Sequence, residues 1–256
     1  MDLELTGRRA LVLGASRGLG MAIAKSLAAE GVHVFAAARS RDKIAAWAEG
    51  LENVYPIQLD ISDLKAVNHV VDDLTKEGGV DIVINNGGGP PPGTAQAAER
   101  ADWLVHFEAM AANLFHLNTR LLPLMKQRGF GRIISITSSG VVQPIPNLAL
   151  SNGIRSAVVG WSKTLANEVA GNGITVNVVM PGRIHTQRVD ELDAAAAKRM
   201  DTDIADVAAK SRATIPAGRY GNPEEFADVV TFLASARASY VTGSKIRIDG
   251  GAIRGI

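Results

Sequence analysis

Cysteine is absent from the 256 residues, which excludes disulfides, thiolate metal sites and a cysteine nucleophile. Aromatic residues make up only 5% of the chain, and three of them are tyrosines, Tyr55, Tyr220 and Tyr240. A surplus of either charge is also missing. Lys and Arg number 27 against 26 Asp and Glu, for a net charge of +1. Nucleic acid and anionic membrane surfaces need a basic surplus, so neither is an expected partner. No apolar run approaches the ~18 residues of a membrane span. Two acids near Met1 stand where a secretion signal needs bases, and no apolar core follows them, so a cytoplasmic location is expected. With no H-E-x-x-H and no tight His/carboxylate cluster, no metal is expected.

What the chain does contain is short apolar runs alternating with segments of helical period. Strands are expected over 10–13, 33–37, 54–59, 81–85, 132–137, 175–180 and 245–248. Helices are expected near 19–30, 43–49, 63–76, 99–127, 156–170 and 223–233. Ile82-Val83-Ile84 and Ile133-Ile134 are continuous rather than alternating, the pattern of strands buried on both faces. Repeated strand–helix–strand units imply right-handed crossovers and a doubly wound parallel sheet of Rossmann type, flanked by helices. No linker, repeat or low-complexity block divides residues 1–256, so one domain is expected. The segment 183–216 lacks a clear strand; its alanine-rich stretch near 194–200 reads as helix, and the segment as a substrate lid.

The first strand runs into Gly14-Ala15-Ser16-Arg17-Gly18-Leu19-Gly20, and a helix starts at once. Glycines in such a turn let the backbone approach a pyrophosphate, met by the N–H groups and dipole of the helix N-terminus. The spacing is G-x-x-x-G-x-G, and the competing reading is a tight turn without ligand. The second strand ends in Ala38-Arg39-Ser40-Arg41. An acid there would accept bonds from a ribose 2′-hydroxyl and repel a 2′-phosphate. None is present, and Arg39 with Arg17 is suited to clamp a phosphate. NADP(H) is therefore preferred, with NAD(H) as the other possibility; two solvated surface arginines are the bland alternative.

These features, with Asn85-Asn86-Gly87, Pro181-Gly182, the run Gly218 to Glu225 and the ending Tyr240-Val241-Thr242-Gly243…Asp249-Gly250-Gly251, resemble the short-chain dehydrogenases/reductases along essentially the whole chain. Within that family the sequence is most similar to reductases of the 3-oxoacyl-carrier-protein type. The resemblance implies a single Rossmann domain with a seven-stranded parallel sheet, a small-molecule substrate, and a homotetramer or homodimer. It also implies that Asp60 and Ile61 line the adenine site and that Asn86 and Gly87 pass the ribose. Pro181, Gly182, Ile184 and Thr186 would bind the nicotinamide end. Apolar stripes through Leu114, Leu117, Leu121, Leu122 and Leu124, and through Ala157, Trp161, Leu165 and Val169, would pack across a two-fold axis, or simply face the sheet.

The family's working group of Asn, Ser, Tyr and Lys is where the pattern breaks. Ser138 fits the serine, which polarises the substrate carbonyl. Ser151 stands where the proton-donating Tyr belongs, Arg155 where Lys belongs, and Met110 where Asn belongs, with Asn113 one helical turn away. A phenol near pKa 10 can be tuned toward neutrality by a neighbouring cation, but a serine hydroxyl cannot. Arg155 is no proton donor; it can serve as a fixed positive charge for an oxyanion or carboxylate. Three readings follow: an NADP(H)-dependent oxidoreductase of carbonyl or 3-oxoacyl-like substrates with an altered catalytic group, a catalytically silent NADPH sensor or partner, or a reductase of activated double bonds. Among the histidines, only His185, beside the presumed nicotinamide site, is a candidate substitute acid.

Overall fold

The seven apolar runs all become strands, and the helices between them set the architecture. The computed structural model describes residues 1–255. The first half runs β1 (Arg9–Leu13), α1 (Gly18–Ala29), β2 (His33–Ala38), α2 (Arg41–Trp47), β3 (Val54–Gln58), α3 (Leu64–Lys76) and β4 (Ile82–Asn85). There follow α4 (Arg100–Phe107), α5 (Asn113–Arg128), β5 (Gly131–Ile136), α6 (Ala149–Val169) and β6 (Ile174–Pro181). The chain closes with α7 (Gln187–Met200), α8 (Ile204–Ala213), α9 (Pro223–Ala234) and β7 (Lys245–Ile248).

All strand pairs are parallel, in the order β3-β2-β1-β4-β5-β6-β7. Neighbouring residues of one strand feed opposite cores. Val12 and Ile134 join Ile23 of α1 and Phe226 of α9 on one face. Leu11 and Ile133 join Val71 of α3, Leu117 of α5 and Leu165 of α6 on the other. Burial on both faces is why these strands read as unbroken apolar runs. Because β1 lies between β2 and β4, the chain leaves β1 and β4 toward opposite sides, and a crevice opens at the carboxyl ends between them. No helix among the described residues is long and apolar enough to cross a membrane.

Several expectations need correction. The helix expected over 99–127 is two helices joined by a π-helical turn, Glu108–Ala112. Such a turn adds a residue and rotates the face that follows. Asn113, just after it, is buried and donates Nδ2 to the Ile61 carbonyl at 2.8 Å. The helix expected from 156 starts at Ala149, because Gly153 does not interrupt it. Instead, the missing side chain makes room for the Trp103 ring, which a Cβ there would meet at 2.9 Å. The segment 183–216 holds two helices rather than one. Finally, Leu117, Leu121, Leu122, Leu165 and Val169 are buried against the sheet, while Leu114, Leu124, Ala157 and Trp161 of the same stripes are only partly buried. Three exposed apolar side chains, Leu104, Val105 and Phe107, lie close together on α4.

Arg132 ties the far end of this core together. It is 2% exposed, and Nε donates to the Ser235 carbonyl at 3.0 Å while Nη1 reaches the carbonyls of Gly131 and Gly173 at 2.8 and 3.1 Å. Burial lowers its pKa to about 10, which leaves it charged at neutral pH. Arg132→Ala strips three carbonyls of their donor and opens a void. It is expected to cost about 3 kcal/mol, or about 6–12 °C in melting temperature for a chain of this size. A shift below about 2 °C in a thermal melt would contradict that role.

Candidate active site and cofactor cradle

The turn after β1 is closed by contacts that only glycine permits. Gly14 and Gly18 have φ of +64° and +58°, a region that side chains disfavour. A Cβ on Gly20 would strike the Gly14 carbonyl oxygen, and one on Gly14 would meet Asn86 Nδ2 at 2.7 Å. That amide crosses the crevice and donates to the carbonyls of Leu13 and Gly14 at 3.2 and 3.4 Å. Trp47 Nε1 holds the Ala15 carbonyl at 3.0 Å, a link that nothing in the sequence announces. Ser16 and Leu19 complete the turn, and α1 carries no acid in its first turn, so its N-terminal N–H groups face no internal counter-charge. Gly87, after Asn86, borders open space.

Arg39 is exposed at the end of β2. Asp60, beyond β3, accepts from the Ser62 hydroxyl at 2.7 Å and its backbone N–H at 3.0 Å. These bonds hold the carboxyl below its usual range, and Arg39 adds a smaller pull. Ile61 takes the Asn113 bond described above. Arg17 does not join Arg39 as a clamp. Its Nη1 lies 2.8 Å from both Gln187 Oε1 and Glu191 Oε1, because α7 offers a carboxylate above the glycine turn.

At the other side of the crevice, Pro181 ends β6 opposite Ile248. Gly182 packs where a Cβ would meet the Asp249 Cα at 2.6 Å. Ile184 is buried and bridges to Gly221. Thr186 precedes α7, and its methyl lies 3.6 Å from the position of a Cβ on Gly18, so this turn abuts the glycine loop. His185 sits 3.2 Å from Asp190 Oδ1 and is exposed. A groove of about 540 Å³ beside it is lined by Asp193, Arg212 and Tyr220.

Ser138 extends from β5 in an extended conformation, and its Oγ accepts from the Gly140 N–H at 3.1 Å, which leaves its own proton free to be donated. Ser151 and Arg155 lie one turn apart on α6. Arg155 donates Nε to Ser151 Oγ at 3.3 Å and Nη1 to the Ile136 carbonyl at 3.0 Å, which brings both against the strand end that carries Ser138. Burial lowers the Arg155 pKa to about 10, so it too is charged at neutral pH. Met110 packs among Ala111, Leu150 and Ile154. No tyrosine joins this group. Tyr55 is on β3, Tyr240 is fully exposed, and the Tyr220 hydroxyl donates to Asp193 Oδ2 at 2.8 Å, with its pKa raised chiefly by burial. Over the site, Gly93 and Asn147–Ala149 exchange backbone bonds of 2.8 and 3.1 Å.

The glycine contact gives a direct check. Gly20→Ala forces the Gly14 carbonyl to shift and is expected to cost about 1–3 kcal/mol, as overpacking of a tight junction does. An unchanged melting temperature would mean that the two backbones do not touch.

Comparison with known proteins agrees with this arrangement. The profile of a family described as Enoyl-(Acyl carrier protein) reductase matches residues 14–252. The 3-oxoacyl-(acyl-carrier-protein) reductase FabG of Escherichia coli strain K12 is 36% identical over 253 residues, covering 97% of this chain and 98% of its own. Its counterpart in Thermotoga maritima is 33% identical over 256 residues, covering 98% and 100%. L-Sorbose reductase from Gluconobacter frateurii, solved with NADPH and L-sorbose, superposes with a TM-score of 0.94 at 32% identity over 100% of both chains. YwfH, an NADPH dependent reductase involved in bacilysin biosynthesis, superposes at 0.93 with 31% identity, covering 98% and 100%. Fold, motif order and relatives lead to one assignment: the chain belongs to the short-chain dehydrogenase/reductase family.

Proposed function

We propose that the protein is an NADP(H)-dependent oxidoreductase of small carbonyl or 3-oxoacyl-like substrates, working with Ser138, Ser151 and Arg155 in place of a tyrosine and a lysine. The carrying observation is that a close-packed glycine turn, with an uncapped helix N-terminus, stands at the same carboxyl end of the sheet as a hydroxyl and a guanidinium group. The cradle fits a dinucleotide: Gly14–Gly20 is close-packed from below, while Gly87 leaves open space. Gly14, Ser16, Gly18, Leu19 and Gly20 would face the pyrophosphate, Asp60 and Ile61 the adenine, and Asn86 and Gly87 the ribose. Pro181, Gly182, Ile184 and Thr186 would hold the nicotinamide end. Arg39 would meet a 2′-phosphate, and Arg17 would join it on leaving Glu191. The NADPH carried by the sorbose reductase supports this choice; NAD(H) would bind more weakly.

When bound, the cofactor supplies hydride. Ser138 donates a hydrogen bond to the substrate oxygen, and Arg155 keeps a positive charge beside it. Ser151 is held by Arg155 and cannot release a proton near neutrality, so the proton comes from water. The absence of a phenol favours one second reading, reduction of an activated double bond, where the product is an enolate and no alkoxide forms. It equally allows a silent NADPH-binding partner, which would show no turnover. The α7–α8 segment would act as the lid, and the exposed α4 residues suit a homodimer or homotetramer in the cytoplasm.

Steady-state oxidation of NADPH across ketones, 3-oxoacyl thioesters and conjugated enones tests the reading. Turnover of at least one class is expected, with Ser138→Ala lowering kcat/KM about 100-fold. Ser151→Tyr with Arg155→Lys is expected to raise simple ketone reduction. Full activity in Ser138→Ala, or no turnover of any class, would overturn it.

A further inference from the structure

One cation at the reductase site has no counter-charge. Arg17, Arg183 and Arg219 near the lid are each paired with a carboxylate at 2.6–2.8 Å. Arg155 has only the neutral contacts to Ile136 and Ser151, and no carboxylate among the described residues pairs with it. Arg132, also buried and unpaired, spends its donors on three carbonyls. Arg155 does not: Nη2 has no protein acceptor among the described residues, and it lies 3.9 Å from where a Cβ of Gly89 would stand.

The loop beside it is open, with Gly89 exposed. The backbone N–H of Gly89 makes no hydrogen bond within the described residues, and that residue carries no side chain to cover it. Pro90, Pro91 and Pro92 follow, which limits the freedom of the loop, and Gly93 is pinned to the strand-like stretch before α6. A half-buried guanidinium without a partner is costly, and functional sites are where such cost is retained. Charge-assisted bonds from a guanidinium and a backbone N–H are what a carboxylate accepts best.

We propose that Arg155 Nη2 and the Gly89 N–H form a subsite for the carboxylate of the substrate, which is a short free oxo acid. This rests on the reductase reading. It deepens that reading, because an anchored free acid differs from a neutral ketone, an ester or a carrier-bound thioester.

The test uses the NADPH-loaded protein and two probes of matched shape, acetoacetate and methyl acetoacetate, with binding followed by the fluorescence of the bound cofactor. The wild type is expected to hold the acid about tenfold more tightly than the ester, the effect of one charge-assisted contact. Arg155→Met, and Gly89→Val, which fills the space beside Nη2, should bring that ratio to about one. NADPH affinity should stay within about twofold in Gly89→Val, since Gly89 has no neighbour in the cradle, and the acid-to-ester ratio of every variant is read at saturating NADPH. Arg155→Lys should retain part of the preference. Should Arg155→Met fail to fold, Gly89→Val and Arg155→Lys decide. Equal binding of acid and ester by the wild type, no binding of acetoacetate, or a ratio unmoved by these variants would overturn the subsite. A protein that does not take up NADPH defeats the reductase reading instead. In that event, calorimetry of acetoacetate on the unloaded wild type and Arg155→Met still decides the subsite.

Discussion

The whole site depends on a junction where Gly14 and Gly20 meet backbone to backbone and one side-chain amide, that of Asn86, spans the gap. Gly14 and Gly20 touch, and Asn86 reaches across the switch between β1 and β4 to hold the same turn. A larger residue at any point would push β1 from β4 and tilt α1 away from the crevice. The contact therefore links sheet order to chemistry: it shapes the turn, and it aims an uncapped helix N-terminus at whatever lies above. Everything further along the sheet edge is placed relative to that junction.

The second constraint is electrostatic. At the start of α6 the chain presents a serine hydroxyl held by a guanidinium, where the family resemblance implies a phenol and an amine. The exchange keeps positive charge at the end of β5 and removes a group that can surrender a proton near neutrality. Arg155 is drawn down to about 10 by burial, far enough above neutral pH to remain a cation. The site is thus suited to binding and stabilising negative charge, and poorly suited to delivering protons. On the proposed reading the proton comes from water, whether it goes to an alkoxide or to the carbon of an enolate.

Much of this was legible in the sequence, for physical reasons that differ by element. The central strands announced themselves because burial on both faces leaves only apolar residues. The glycine turn was legible because positive φ and close approach both demand glycine. Counting the resembled family's interval from Ser138 pointed to Ser151 and Arg155, and the two are bonded to each other beside the end of β5. The π turn before Asn113 was hidden because the one-residue shift it puts in the apolar phase falls in Glu108–Ala112, a stretch with only Ala111 buried to register it. The first turns of α6 were missed because Gly153, a poor helix former, is there to make room for Trp103. Arg17 gave no sign of its partner, because Gln187 and Glu191 are 170 and 174 residues away in the chain. The apolar stripes of α5 and α6 were ambiguous because one helix can bury one side against the sheet, as Leu117 and Leu165 do, and leave residues such as Leu114 and Trp161 partly exposed.

The most direct test of the account is calorimetric titration of NADPH into the wild-type protein and into Asn86→Ala, whose crevice lacks the crossing amide. Micromolar association for the wild type, weakened about tenfold in the variant, is the predicted result. Failure of NADPH to associate with the wild type at millimolar concentration would contradict the account at its foundation.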